Sequence, residues 1–573
     1  MQAINQKTSP LWGAIIGALV SPVLIALFFV GERFANLPFL PLNFFDWIAR
    51  ALPGELITFG IDTMVELIIA VGAGDNLDDA AKLAERVMGV GLFWTLGVVT
   101  AAVFFLILNQ IDWDEVSYTP GAIYGLAFGI PLMALAIPIS ITSPAPLWLK
   151  VVWSGLLFLG YGVAIGWAYN MMSFGDTTVK ANTGEVSTNT IDRREFIVKV
   201  GGASATLTVV GAGLGGLLGN TSSSTTVADA PETDISADSD SATESVADVP
   251  NTDSGLMPAP GTRPEITPVR DHYRIDILSS GLPSIPDDYT LPITGLVANE
   301  VAWSLEEIMD MPSQSEILTM SCISNRIAGS LISTVKWTGV SFQEILDRVE
   351  PTEEAMALKI IGYDNFDEYL ELDMIRNDDR IMLAYHFDDA PLPLRNGFPL
   401  RIHIPNRYGM KQPKWIRSIE FVDAWEPGYW VRRSWSEQAI VNAVSVIDTV
   451  ATDDIFEDEN GIMRVPMGGM AWAGDRPIVS VQVSIDGGEW QNCELRESLS
   501  ERAWTIWRYD WAFEEGDHTV EVRAFEAAPE GQSDPLLQPT ETRGVRPDGA
   551  TGIHAESFSL ASVEGDTEAS IDS

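Results

Sequence analysis

Four uncharged apolar stretches, residues 11–31, 87–111, 116–149 and 151–175, constrain this chain more than any other feature of it. Each has at least the ~20 residues that a helix needs to cross the hydrocarbon core of a bilayer. Residues 1–180 are therefore expected to form an all-α transmembrane region of four or five spans in contact with membrane lipid. The fifth span is the open one. Residues 51–74 are apolar, but Glu55, Asp62 and Glu66 recur at spacings that place them on one helical face. The segment reads as an interfacial amphipathic helix with a wet acidic face. An intramembrane carboxylate track for protons or ions is the alternative.

A further apolar stretch, residues 200–228, begins directly after Asp192-Arg193-Arg194-Glu195-Phe196-Ile197-Val198-Lys199. Paired arginines followed by Phe, apolar residues and Lys resemble a twin-arginine export signal, here internal, and residues 190–219 are read as that signal and a final transmembrane helix. The alternative is a helix end anchored by cations on the cytoplasmic side. Either way, the chain beyond about residue 220 is expected on the extracytoplasmic face, because a span delivers its carboxyl end to the far side.

Charge divides at the same place. Residues 1–219 hold 16 acidic and 10 basic side chains, whereas residues 220–573 hold 63 and 25. So acidic a surface repels phosphate backbones and sets nucleic acid aside as a partner. Two cysteines, Cys322 and Cys493, exclude a disulfide-dense scaffold. All five histidines lie at or after His272, so the membrane region has no histidine pair for a b-type haem. A Cys-x-x-Cys-His for c-type attachment is also missing, and no haem is expected in this chain.

Residues 220–265 are expected to be a disordered acidic linker. Residues 220–262 carry eight acidic side chains, no Lys or Arg, and much Ser, Thr, Ala and Pro, which leaves too little apolar area to offset ordering. Residues 266–438 show Trp- and Tyr-bearing alternation with regular turns, the texture of an α+β domain, with helices predicted over residues 304–311 and 341–349. Residues 439–562 differ. Residues 478–485 alternate with period two and break at Asp486-Gly487-Gly488, and residues 519–524 alternate too. This predicts an immunoglobulin-like β-sandwich with Trp490, Trp504, Trp507 and Trp511 in its core or an interface. Residues 563–573 are read as a disordered acidic tail.

The residues that carry chemistry begin at Thr319-Met320-Ser321-Cys322-Ile323-Ser324-Asn325-Arg326. A cation beside a thiol favours the thiolate, the form that binds metal. The alternatives are a buried small hydrophobe and a disulfide with Cys493. Later motifs follow in a set order. Pro393-Leu394-Arg395-Asn396-Gly397-Phe398-Pro399-Leu400-Arg401 precedes Ile404-Pro405-Asn406-Arg407-Tyr408-Gly409-Met410-Lys411-Gln412-Pro413-Lys414-Trp415, and Tyr273-Arg274-Ile275-Asp276 stands before the cysteine. Together with the sandwich this series resembles the sulfite oxidase family of molybdopterin enzymes, over about residues 268–560, and most of all its membrane-anchored, twin-arginine-exported prokaryotic members.

The resemblance implies that Cys322 binds molybdenum held also by one molybdopterin, whose metal performs oxygen-atom transfer. It implies cofactor contacts at Asn325, Asn396, Arg401, Lys411 and Lys414, with Asn396 standing where many members have histidine. Arg274 and Arg326 match cationic positions around a substrate oxyanion or the cofactor. It further implies an external one-electron carrier such as a cytochrome, and a homodimer through residues 439–562. Two positions depart from the sulfite-oxidising pattern. Ile327 replaces a second arginine, and Phe366 replaces a tyrosine, with Tyr363 and Tyr369 as stand-ins. Both make the pocket less polar. The readings are thus an extracytoplasmic molybdopterin oxidoreductase acting on a small oxyanion, a reductase of sulfoxides such as methionine sulfoxide on the same fold, or a non-catalytic binding or sensor protein.

Overall fold

The computed structural model describes residues 8–52, 77–111, 117–140, 143–174, 176–179, 186–189, 200–206, 208, 255–278, 281–529 and 531–561. Glu55, Asp62, Glu66, the Arg193-Arg194 tract, residues 220–254 of the linker and the tail at 563–573 lie outside the described residues. Two compact units are present, Met1–Glu232 with Ile277–Ser284, and Thr233–Asp276 with Ile285–Ser573.

The first unit is helical: α1 (Pro10–Ala35), α2 (Leu40–Ala51), α3 (Leu77–Leu108), α4 (Thr119–Ala136) and α5 (Leu147–Phe174), followed by a hairpin of β1 (Asp176–Val179) and β2 (Val186–Asn189). Four of the helices are long and apolar enough to cross a membrane. Ser9 caps α1 by accepting from the Leu11 amide, and Asn36 ends it in the left-handed region at φ 49°. The break after α4 falls earlier than the charge pattern suggested. The helix stops before Pro138, Pro144 and Pro146, which cannot donate to a helical ladder, so Lys150 lies inside α5 and donates from Nζ to the Ser140 carbonyl at 2.9 Å. Helices α4 and α5 meet through glycine. A Cβ built on Gly121 would come within 2.6 Å of the Gly162 carbonyl oxygen, and one on Gly125 within 3.0 Å of the Gly162 Cα. Close backbone approach of this kind drives helix association where no hydrophobic effect operates.

The second unit has four sheets. One has the order β10 (Ala390–Pro391), β9 (Met382–Phe387), β6 (Ile332–Ser341), β5 (Ser313–Ser321), with β11 (Arg401–His403) also on β9; another runs β4 (Val301–Ser304), β3 (Thr290–Gly295), β12 (Ile416–Val422), β7 (Ala357–Gly362), β8 (Asp367–Glu371). The β12–β3 pair is parallel, and the rest are antiparallel. Three short helices, α6 (Leu305–Met309), α7 (Phe342–Val349) and α8 (Leu372–Arg376), complete the α+β domain. The first two begin where the sequence placed them: Ser304 and Glu307 form a capping box, and Ser341 caps α7. One apolar cluster, including Leu291, Ile293, Val340, Phe342, Leu383 and Ile419, joins both sheets to α7.

The remaining strands form two facing sheets. One contains β13 (Val444–Val450), β14 (Phe456–Glu457), β15 (Met463–Trp472), β18 (Glu494–Leu495) and β19 (Thr505–Ala512); the other contains β16 (Ile478–Ile485), β17 (Gln491–Asn492), β20 (Gly516–Glu526), β21 (Leu536–Leu537) and β22 (His554–Leu560). Their inner faces share one core, with Ile447, Met467 and Trp507 against Val481, Val483, Val520 and Val522. Trp504 and Trp507 are buried, whereas Trp490 packs under Arg523 and Trp511 beside His518.

The linker is shorter than its composition suggested. Residues 255–265 lie on the sandwich, because charges there have partners: Arg263 pairs with Asp448 at 2.5 Å, Glu265 with Arg496 at 2.8 Å, and Arg496 and Arg508 donate to the Leu256 and Met257 carbonyls. Composition could not reveal partners more than 180 positions away. Replacing Gly125 by Leu is expected to lower the melting temperature of the detergent-solubilised chain, since overpacking costs about 1–3 kcal/mol. Gly155→Leu, where a Cβ meets nothing within 4 Å, should leave the melt unchanged; equal effects from the two would remove the glycine contact as their cause.

Candidate active site

Strands β5 and β6 pair from Ser313↔Val340 to Ser321↔Ile332, and the turn between them carries the cysteine. The Cys322 amide donates to the Leu331 carbonyl at 2.9 Å, and the Asn325 amide donates to the Cys322 carbonyl at 3.0 Å. The Asn325 side chain accepts from the Leu331 amide at 3.0 Å. Asn325 thus closes the turn. Cys322 is buried among Tyr273, Met320, Trp337 and Leu392, with Sγ 3.1 Å from Ser324 Oγ. It forms no disulfide with Cys493, which sits in the sandwich with its thiol pushed up by burial.

Arg401 reaches this cluster from β11. Its guanidinium lies 4.7 Å above the Trp337 ring, donates to the Asn396 carbonyl at 2.9 Å, and comes 3.2 Å from Met320 Sδ. Burial pulls its pKa down to about 10. Asn396 is also buried, with Nδ2 3.4 Å from His272 Nδ1. Burial first, and then Arg401, hold His272 neutral with a pKa of about 3. Nearby, Arg274 pairs with Asp276 at 2.6 Å, and the Lys414 ammonium is 3.8 Å from the same carboxylate and 4.3 Å over Trp415. The Lys414 side chain is only 12% exposed, and burial pulls its pKa down to about 7, with Asp276 opposing and Arg401 and Arg274 reinforcing the shift. Gly397, at φ 127°, lets the two cations share this space. A Cβ there would lie 3.2–3.3 Å from the Arg401 and Lys414 side chains.

The energetics of this cluster call for an anion. A desolvated cation–π stack contributes ~2 kcal/mol, less than the several kcal/mol that burying a cation costs. Three buried polar atoms, Arg401 Nε, Asn396 Oδ1 and His272 Nε2, have no hydrogen-bond partner, and each such atom costs ~1–3 kcal/mol. A bound group with negative charge and both donor and acceptor atoms would relieve all of these terms. Among the described residues no three His, Cys, Asp or Glu side chains meet as a metal cage. A metal at Cys322 would take most of its ligands from such a group.

The structure therefore brings together Cys322, Arg274, Asn396, Arg401 and Lys414. It separates two other expected residues from them. Arg326 is exposed on the turn, at the rim of a cavity it shares with Asn325, Tyr408, Asn442 and Trp472. Lys411 is buried, but its ammonium binds Glu368 at 2.9 Å. Sequence reasoning missed His272, Asp276, Met320 and Trp337 as parts of the cluster. His272 and Asp276 had an available signal, since His272 precedes the Tyr273-Arg274-Ile275-Asp276 tract and Asp276 closes it.

Residues 279–430 match the family model described as an oxidoreductase molybdopterin binding domain. The chain is 26% identical over 266 residues to the mitochondrial sulfite oxidase of Rattus norvegicus, covering 39% of this chain and 49% of that one. It is 29% identical over 144 residues to a putative protein-methionine-sulfoxide reductase subunit, YedZ1, of Azospira oryzae, covering 25% and 52%. The chain spans about half the length of these relatives. Among solved structures, the sulfane dehydrogenase SoxCD of Paracoccus pantotrophus aligns with 54% of this chain and 85% of its own at 19% identity and a TM-score of 0.44.

Protonated Lys414 costs the cofactor-free chain stability below about pH 7. Because the unfolded amine titrates near ~10.4, that cost is relieved as pH rises from about 7 towards 10. Chain made in a host without molybdopterin synthesis should accordingly melt higher at about pH 9 than at about pH 7. Lys414→Met should flatten the slope; an identical slope would show that Lys414 is not the group responsible.

Proposed function

Through residues 279–430 the chain belongs to the sulfite oxidase family of molybdopterin oxidoreductases, and from that premise we propose that it is an extracytoplasmic, membrane-anchored enzyme of oxygen-atom transfer. The observation that carries this reading is the buried cysteine beside an under-neutralised cation cluster with three unpartnered polar atoms. Cys322 would hold the metal through its thiolate. Arg401, Lys414, Asn396 and His272 would hold the pterin and its phosphate, since a guanidinium ~4 Å from a unit charge contributes on the order of 4 kcal/mol at an effective dielectric of 20. The bound cofactor supplies a molybdenum centre that exchanges an oxygen atom with substrate and passes its electrons on singly.

The chain's own residues then have defined tasks. The aromatic and aliphatic packing around Cys322 excludes water, and Arg274, which the structure keeps with the cation cluster, would attract an oxyanion. Sulfite taking oxygen from water yields sulfate, two protons and two electrons; a sulfoxide, with two electrons and two protons, yields a sulfide and water. The second direction is favoured by Ile327 and by Phe366, which is buried against the Tyr429 ring at 5.6 Å where a polar group would serve an anion better. Export through the Arg193-Arg194 signal suits a domain that must cross the membrane folded around its cofactor. The acidic exported half suits a positively charged one-electron carrier such as a cytochrome. The two facing sheets of residues 439–562 serve as an immunoglobulin-like dimerisation domain.

Expression in a molybdopterin-competent host should give near-stoichiometric molybdenum. A folded preparation without it would favour a non-catalytic binding protein instead. Sulfite oxidation and sulfoxide reduction, assayed on the same preparation, decide the substrate class. Cys322→Ser should reduce turnover by more than the ~100-fold that losing an outer-shell partner can cost; unchanged activity would remove the assigned ligand.

A further inference from the structure

Glu368 and Lys411 form an ion pair that the cofactor cluster does not use. Their side chains are 0% and 5% exposed, the Lys411 ammonium donates to Glu368 Oε1 at 2.9 Å, and the Tyr369 amide donates to the same oxygen at 3.1 Å. The other oxygen, Oε2, has no hydrogen-bond partner. A buried pair of this kind contributes little net stability, so what the carboxylate packs against matters more. That neighbour is the backbone of Gly428: a Cβ there would lie 2.5–2.7 Å from the carboxylate atoms.

Three successive residues of β8, Asp367, Glu368 and Tyr369, grip the segment around Gly428. The Asp367 carbonyl accepts from the Tyr429 amide at 2.9 Å, and the Asp367 carboxylate takes two bonds from Arg432 at 2.6 and 2.8 Å. The Tyr369 carbonyl accepts from the Trp425 indole at 3.0 Å, and the Tyr369 hydroxyl donates to Glu426 at 3.2 Å. Beyond this grip the loop turns towards the cysteine. Trp430 and Trp435 stand edge to face at 6.3 Å and pack with Ile327 on the cluster that contains Ile323, Ile332 and Tyr408. Arg433 lies 3.7 Å over the Tyr429 ring and donates to the Tyr429 carbonyl at 2.8 Å. A chain of contacts thus runs from Glu368 through Gly428 and Trp430 to Ile323, the residue after Cys322.

We propose that Glu368 and Lys411 are positioning residues whose buried pair fixes the backbone at Gly428, and so holds the Tyr429–Trp435 loop as the wall that selects substrate beside the Cys322 turn. The kinetic part rests on the oxidoreductase reading above; the part concerning the loop does not. Small displacements of a positioned wall are felt at the reacting atoms, where about 1 Å can cost up to 100-fold.

The test uses molybdenum-loaded full-length protein and two readouts. Glu368→Ala, which leaves Lys411 buried without its partner and so lowers the melting temperature, should raise KM about tenfold with kcat within about threefold of the parent, at unchanged molybdenum content. It should also speed tryptic cleavage at Arg432 and Arg433 about tenfold. Glu368→Gln, which still accepts from Lys411 and Tyr369, should restore both. If Glu368→Ala does not fold, Gly428→Ala presses the loop away with the pair intact and should give the same KM rise and the same cleavage. Unchanged cleavage in folded variants overturns the proposal, and so does faster cleavage with unchanged KM. A parent that holds molybdenum but turns over neither sulfite nor a sulfoxide sinks the oxidoreductase reading instead, and the cleavage rates then decide the loop's positioning alone.

Discussion

Arg401 is removed from water over Trp337, and beside it Lys414 is removed from water against a carboxylate, Asp276, that already binds Arg274. Much of the α+β domain is arranged around that imbalance. Trp337 and Met320 present a polarisable floor to the guanidinium, Gly397 leaves room for both cations, and Asn396 supplies its carbonyl as an acceptor. None of these partners carries a negative charge. The fold holds positive potential in a dry place, where it would act on an anion with less of the screening that a solvated surface suffers within ~10 Å.

The same reasoning gives the chain's net charge of -44 a limited meaning. Carboxylates dominate the second unit's composition, yet the sequence from Arg395 to Lys414 is locally basic, with Arg395, Arg401, Arg407, Lys411 and Lys414. Of these, Arg401 faces the cysteine cluster, Lys414 faces Asp276, and Lys411 is neutralised by Glu368. One basic tract therefore divides between two environments, a cation cluster beside the cysteine and a buried ion pair with a neighbouring strand. Spacing along β11 and the turn after it cannot separate those environments, because the deciding carboxylates come from other strands.

Much of the architecture was legible in the sequence. Hydropathy alone marks four helices able to cross a membrane, since a bilayer admits few other solutions for such stretches. Period-two alternation marks β16 and β20, because one face of each strand must meet the sandwich core. Serines before apolar turns mark the starts of α6 and α7. The linker's edge and the break before α5 were misplaced for a shared reason: each depends on a few residues, Arg263 and Glu265 in one case and three prolines in the other, that a window average conceals.

The sequence by itself determined that one part of this chain has stretches long and apolar enough to cross a membrane and that another is acidic with the texture of an α+β domain, and it drew attention to Cys322 and the Asn396–Lys414 tract. Only the tertiary structure decided which cations meet the cysteine cluster. Arg401 reaches the cysteine cluster because β11 pairs with β9, which pairs with β6 beside β5. Lys411 does not, because β8 delivers Glu368 to it. Side-chain roles are set by partners brought from distant positions, and a linear pattern records the residue type without recording the partner.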